Sequence, residues 1–361
     1  MTGVLDLLRP EIRALRPYRP AEYVGGYVRL NANENPWRPV GDTTQDGLNR
    51  YPDPHPAALA TRLAAAYGVS PAQLLVTRGS SEAIDVLTRA FCRATVDEIV
   101  ICPPTFGMYE VYAQLQGAAV RRVPLRRDTG FALPVADILA GWQPTTRLVF
   151  VCSPNNPTGN QFPRADIAAL ARGLAGRGVV VVDAAYAEFA ADDPTLDLLG
   201  TFEHVVVLRT LSKALGLAGV RCGALLGTPA LVAQLAGILP PYAFPTASQE
   251  AVLAALAPDA AAEALRRRGL LVAERGRVAG ALGRVPGIRR VWPSDANFVF
   301  VEADDAPALV ARARDAGVLI RDFSRDPATP GGLRITIGAP EENDRLLAAL
   351  GGPATREVAR G

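Results

Sequence analysis

The 361-residue chain holds 38 lysines and arginines together, yet one alone, Lys213, is lysine, and every other basic side chain is arginine. Arginine replaces lysine in most surface and ion-pair roles, but its guanidinium does not deprotonate in a protein and cannot condense with a carbonyl group. A primary amine can, forming a Schiff base. An arginine-rich composition could leave one lysine by chance, so the neighbours of Lys213 decide its meaning. They read Arg209-Thr210-Leu211-Ser212-Lys213-Ala214-Leu215-Gly216-Leu217-Ala218-Gly219-Val220-Arg221. Two hydroxyls precede the amine and a guanidinium follows it, a set that suits one phosphorylated carbonyl compound.

Pyridoxal phosphate is such a compound. Its aldehyde would meet Lys213, its phosphate Ser212, Thr210 and Arg221, and its ring nitrogen needs an acidic partner. Asp183 supplies one, because Val179-Val180-Val181-Val182-Asp183 reads as an apolar strand that ends in a carboxylate, where a buried anion requires a cationic partner. Tyr186 follows three residues later.

Alternating elements must place these groups. Leu74-Val76, Glu98-Cys102, Val120-Val123, Leu148-Cys152, Val179-Asp183, Val205-Arg209 and Gly223-Leu226 read as strands, with amphipathic stretches at 81–93, 107–116 and 164–176 between several of them. That alternation predicts an α/β sheet, mostly parallel and covered on both faces. A helical stretch over about 247–282 then leads to short strands near Ile288-Trp292, Asn297-Val301 and Leu333-Ile337. Cys222 to Gln249 lacks charge altogether. Gly227, Pro229, Gln234 and Pro240-Pro241 interrupt it, which predicts a strand, a short helix and a turn in place of a membrane span.

The chain resembles the fold-type I pyridoxal-phosphate aminotransferases of class II, and within them it is most similar to the histidinol-phosphate aminotransferase family. Seven segments carry the resemblance in family order: Leu30-Asn31-Ala32-Asn33-Glu34-Asn35-Pro36, Arg50-Tyr51-Pro52-Asp53-Pro54, Arg78-Gly79-Ser80-Ser81-Glu82, Cys102-Pro103-Pro104-Thr105-Phe106-Gly107-Met108-Tyr109, Cys152-Ser153-Pro154-Asn155-Asn156-Pro157-Thr158-Gly159, the Lys213 segment, and Leu333-Arg334-Ile335-Thr336-Ile337-Gly338. It implies an aspartate-aminotransferase-like fold: a seven-stranded, mostly parallel sheet in a large domain (31–243), a smaller α+β C-terminal domain (244–361), and an N-terminal arm (1–30) packed on the small domain.

Gly79-Ser80-Ser81 closes a strand turn and opens a helix, so its backbone N–H groups can hold a phosphate. An ordinary N-cap, with Glu82 in the first turn, explains the same residues without a ligand. The resemblance implies that Phe106 stacks on the pyridine ring, where the family commonly has tyrosine; a lone aromatic is otherwise a core residue. Asn156 suits a turn on its own account. By resemblance it joins Tyr186 in bonding the cofactor's phenolate oxygen. Arg334 offers a guanidinium fork that matches a carboxylate. Arg321 is a second anion-binding candidate, and the resemblance adds Tyr18 and Asn33 to the substrate site. It also implies that Tyr51 reaches the cofactor phosphate of a partner subunit, so that a homodimer shares its active sites. One departure stands out: the family commonly has Asp-Glu-Ala-Tyr where this chain has Asp183-Ala184-Ala185-Tyr186.

The expected activity is transamination in histidine biosynthesis. L-Histidinol phosphate and 2-oxoglutarate would give imidazole-acetol phosphate and L-glutamate, with Lys213 moving a proton from the substrate α-carbon to the cofactor. Alternatives are an aromatic or other amino-acid aminotransferase of the same fold, and a threonine-phosphate decarboxylase. A regulator built on this fold would carry a further DNA-binding region ahead of the first motif, and a nicotinamide dehydrogenase would need a G-x-G-x-x-G at its first strand. A net charge of +2 gives no reason to expect nucleic acid. Cys92, Cys102, Cys152 and Cys222 lie too far apart for a zinc or disulfide framework. Asp6, Arg9, Glu11 and Arg13 interrupt any signal-peptide core, so a cytoplasmic location is expected.

Overall fold

In the computed structural model, which describes residues 3–22, 24 and 27–352, seven strands build the sheet that the alternation predicts. They are β1 (Leu74–Thr77), β2 (Glu98–Ile101), β3 (Ala119–Arg122), β4 (Thr146–Cys152), β5 (Val179–Asp183), β6 (Val205–Thr210) and β7 (Gly223–Leu226), in the order β1-β7-β6-β5-β4-β2-β3. β7 runs antiparallel to both neighbours, and the remaining pairs are parallel. The unbroken valine run of β5 follows from that position. Val180 and Val182 face one apolar core, Val179 and Val181 face the other, and β6 divides in the same way. A strand with helices on both faces has no polar side to show.

β8 (Ile288–Trp292), β9 (Phe298–Ala303), β10 (Arg321–Asp322) and β11 (Gly332–Thr336) form a second, antiparallel sheet in the order β10-β11-β9-β8. It has a core of its own around Val299, Val301, Leu309 and Ile335. β10 is two residues long, too short to leave a periodic signal, and it went unpredicted.

Two expectations need correction. The helical stretch over 247–282 is two helices, Thr246–Ala255 and Pro258–Leu282. Pro258 has no N–H to continue a helix, and Ala257 before it is extended (φ −62°, ψ 148°). The start of the arm does not pack on the smaller sheet. Val4, Leu7 and Leu8 bury against the large-sheet core with Leu87, Ala90 and Leu231, and the Arg9 N–H donates to Ala90 O at 3.0 Å. These apolar side chains cover the helices Ser80–Phe91 and Pro229–Ala236, where they leave water. Residues 1, 2, 23, 25 and 26 of the expected arm and 353–361 of the expected C-terminal domain lie outside the described residues. The uncharged span resolves into β7, the helix Pro229–Ala236 and a turn, and among the described residues no helix is long and apolar enough to cross a membrane.

Candidate active site

Two of the expected residues end neighbouring parallel strands: Asp183 closes β5 and Thr210 closes β6, beside Cys152, which closes β4. Carboxyl ends of parallel strands, with their loops, are where open α/β sheets bind ligands. A cavity of ≈ 230 Å³ lies there, and its wall contains Ser80, Ser81, Phe106, Asn156, Asp183, Tyr186, Thr210, Ser212, Lys213 and Arg221.

One part of the wall suits a phosphate. The helix Ser80–Phe91 starts after Gly79 with no side-chain cap on its first N–H groups, leaving donors and the positive end of the helix dipole for an anion. Gly79 has φ +78°, and a Cβ there would stand 2.8 Å from Arg221 Nη2. Glycine is thus required twice at this point, by the backbone and by the guanidinium resting on it. Arg221 is itself left-handed (φ 59°, ψ 55°), a costly conformation for arginine that is found at functional sites. Its Nη1 donates to Ser212 Oγ at 3.4 Å and to Ala218 O at 3.1 Å, and the Thr210 hydroxyl donates to Ser212 Oγ at 3.0 Å.

Another part of the wall suits a ring nitrogen. Asp183 is 2% exposed. Burial raises its pKa to about 6, against the opposing effects of a Tyr109 hydrogen bond, the Ala185 N–H and the Lys213 charge. Lys213 lines the same cavity, with Nζ 5.7 Å from the Tyr186 ring centroid. Burial, then the Arg334 and Arg221 charges, lower its pKa, while Asp183 opposes them. A lowered pKa makes the neutral, nucleophilic amine more available. Tyr186 is buried and its phenol is pushed up, chiefly by burial, so it remains a protonated donor.

β11 brings in the second sheet. Arg334 Nη1 donates to Asn156 Oδ1 across 178 residues of sequence, and its guanidinium lies 5.4 Å from the Phe298 ring centroid and 5.6 Å from that of Phe323. Arg321 on β10 is the register partner of Arg334, so both side chains leave the same face of the hairpin. Arg334 Nε is buried without a partner among the described groups. This cluster can receive an anion.

Other expected residues are elsewhere in the chain. Tyr51 and Asn33 share a separate depression with Tyr242, where Tyr51 stacks on Tyr242 at 4.6 Å. Tyr18, 71% exposed, borders a proline-rich groove with Pro54 and Phe244. The sequence reading assigned no part to Tyr109, which bonds Asp183, or to Glu34. The Glu34 carboxylate, 2% exposed, pairs with Arg29 and Arg50 and accepts the Tyr51 N–H at 2.8 Å. Both lie inside the quoted motifs, but their partners, 74 residues away for Tyr109 and 5 to 17 for Glu34, lie outside those same motifs. Among the described residues no group of His, Cys, Asp and Glu could hold a metal ion, and all four cysteines are free and buried.

The cavity fits pyridoxal phosphate, because its wall brings together an anion cradle, a buried carboxylate and an amine. The family model for aminotransferase class I and II matches residues 28–350. A histidinol-phosphate aminotransferase of Stenotrophomonas maltophilia is 44% identical over 352 residues, covering 96% of each chain. One from Aeromonas salmonicida is 40% identical over 350 residues, covering 96% of this chain and 98% of that one. The crystal structure of histidinol-phosphate aminotransferase from Sinorhizobium meliloti in complex with pyridoxal-5′-phosphate superposes with a TM-score of 0.74 at 28% identity, over 84% of this chain and 82% of that one. The chain belongs to the class I and II aminotransferases, and within them to the histidinol-phosphate aminotransferase family.

Proposed function

We propose that this aminotransferase transfers the amino group of L-histidinol phosphate to 2-oxoglutarate, giving imidazole-acetol phosphate and L-glutamate, with pyridoxal phosphate held in the Lys213 cavity. The observation that carries the reading is the convergence of the single lysine, Asp183, Asn156, Tyr186 and Arg221 on one cavity. When bound, the cofactor supplies an aldehyde and an electron-accepting ring.

The protein's own groups have distinct tasks. Ser80, Ser81, Thr210, Ser212 and Arg221 hold the phosphate, with N–H groups at the helix start. Phe106 covers a ring face. Asp183 pairs with the ring nitrogen, while Asn156 and Tyr186 bond the phenolate oxygen. Arg334 orients the Asn156 amide by occupying its oxygen, which turns Nδ2 toward the cavity. Lys213, with its lowered pKa, takes the α-proton of the substrate and returns it at the cofactor. Arg334 and Arg321 receive the anionic ends of both substrates, which differ in charge type but share a need for guanidinium donors; Tyr18 and Asn33, which line other depressions of this chain, are given a substrate role by the family resemblance alone.

The enzyme works as a homodimer in the cytoplasm, with Tyr51 serving the partner's cofactor phosphate. Val28 (87% exposed), which lines a depression with Tyr51, together with Leu30 (89%) and Trp37 (78%) on the same segment, supports this, because large apolar side chains at such exposure call for a covering surface. The two sheets, the second with an apolar core of its own, support a division into a large unit over 31–243 and a small one over 244–361.

Steady-state assays with a panel of amino donors and 2-oxoglutarate test the reading. Histidinol phosphate should be the preferred donor. Preference for phenylalanine or tyrosine would assign the enzyme to aromatic amino acids, and release of carbon dioxide from threonine phosphate would make it a decarboxylase. Lys213→Arg should abolish turnover, since charge is kept and the amine chemistry is lost; substantial residual activity would remove Lys213 from the mechanism.

A further inference from the structure

Among the described residues, Asp183 is the one carboxylate on the cavity wall, and its two oxygens are served unequally. Oδ2 accepts a 2.8 Å hydrogen bond from the Tyr109 hydroxyl in a buried setting. Oδ1 meets the backbone N–H of Ala185 at 3.3 Å. Tyr109 arrives on the helix Met108–Gln116, 74 residues before Asp183 in the chain. Its ring is 0% exposed, stacked on Phe150 at 4.7 Å and 9°, and met edge-on by Phe106 at 5.6 Å and 86°. A phenol clamped in this way has a fixed oxygen position, so the carboxylate must orient to it. Tyr109 does not itself line the cavity and reaches a bound molecule through Asp183.

We propose that Tyr109 is the positioning residue of the site: its hydroxyl fixes Asp183 Oδ2, turns the remaining lone pairs toward the cavity, and keeps the shared proton on the cofactor's ring nitrogen. The inference rests on the reading that pyridoxal phosphate binds with that nitrogen at Asp183. A carboxylate that accepts a hydrogen bond is a weaker base than one that does not. Burial brings Asp183 to about 6, the region in which pyridine nitrogens also titrate, so a single donor can decide which partner carries the proton.

The groups facing Asp183 leave little else to decide it. Tyr109 from its helix, Cys152 from β4 and Tyr186 after β5 are all raised, chiefly by burial, and stay neutral, while Lys213 after β6 is the charged neighbour. Loss of the Tyr109 donor should make Asp183 more basic by about tenfold to a hundredfold. The proton would then move toward the carboxylate.

Tyr109→Phe keeps the stacked ring and removes the hydroxyl. Apoenzyme should then bind pyridoxal phosphate at least about tenfold more weakly in equilibrium titration. With cofactor labelled by ¹⁵N in the ring, the nitrogen resonance should move from its protonated toward its unprotonated position. 3-Fluorotyrosine at position 109, a stronger donor of nearly the same shape, should shift the resonance the opposite way, and it carries the test if the phenylalanine variant does not fold. In an Asp183→Asn background, Tyr109→Phe should add almost nothing. If Tyr109→Phe moves neither affinity nor resonance while Asp183→Asn moves both, the positioning role is overturned and the cofactor reading stands. If Asp183→Asn moves neither, both fall.

Discussion

Arg321→Ala and Arg334→Ala should both weaken use of a phosphorylated amino donor, and the structure sets their order. The two residues are register partners on β10 and β11, so their side chains share one face, but their surroundings differ. Arg334 is half-buried near Phe298 and Phe323, where the apolar rings exclude water. Arg321 is exposed. A hydrogen bond to a charged group contributes about 1.5 to 3 kcal/mol. Solvent screening puts Arg321 at the low end, a loss of about tenfold in kcat/KM, and Arg334 near the high end, about 150-fold. Arg334→Ala also releases Asn156, so it should slow every donor to some extent. The diagnostic quantity is therefore the ratio of kcat/KM for histidinol phosphate to that for histidinol, which lacks the phosphate. For each variant that ratio should fall. Equal losses for the two donors would place the guanidinium away from the phosphate, and a larger effect at Arg321 than at Arg334 would refute the burial argument.

Gly79→Ala should lower affinity for pyridoxal phosphate, since the added methyl meets Arg221 Nη2 at 2.8 Å and the backbone has φ +78° with ψ 170°; the strain is about 1 to 3 kcal/mol, and apoenzyme titration would show a loss of about tenfold or more. Mixing Lys213→Ala with Tyr51→Phe under subunit exchange should restore sites of wild-type cofactor affinity, one in each mixed dimer, and a mixture that exchanges without restoring any would mean that Tyr51 serves its own chain. Burial alone would raise Asp97, but hydrogen bonds from Arg93 and Arg147 outweigh it and hold the carboxyl at about 2. The folded pKa is depressed, so this contribution is complete above the unfolded value near 4 and fades as pH falls toward 2. Asp97→Asn should cost about 2 kcal/mol at pH 7 in denaturant unfolding, with the gap to wild type closing at pH 2; a gap independent of pH would contradict the linkage.

The chemistry of the site was legible in the chain because it is local. A lone lysine flanked by Ser212, Thr210 and Arg221, and a strand of valines ending in Asp183, depend on residue type and short spacing, and strand ends at Cys152 and Asp183 follow from apolar runs of limited length, whereas β6 runs one residue past the expected Arg209 to Thr210. The same locality accounts for the helix start at Ser80. What the tertiary structure decided lies between segments. Tyr109 meets Asp183 across 74 residues, Arg334 meets Asn156 across 178, and Arg221 rests on Gly79. β10 exists because Arg321 and Asp322 find β11 beside them. Val4, Leu7 and Leu8 pack on the large sheet and not the small one because that is where apolar helix surface remained uncovered. No periodicity or motif spacing encodes such pairings, since a phenol, a guanidinium or a short apolar segment bonds whatever partner the packed core brings within reach.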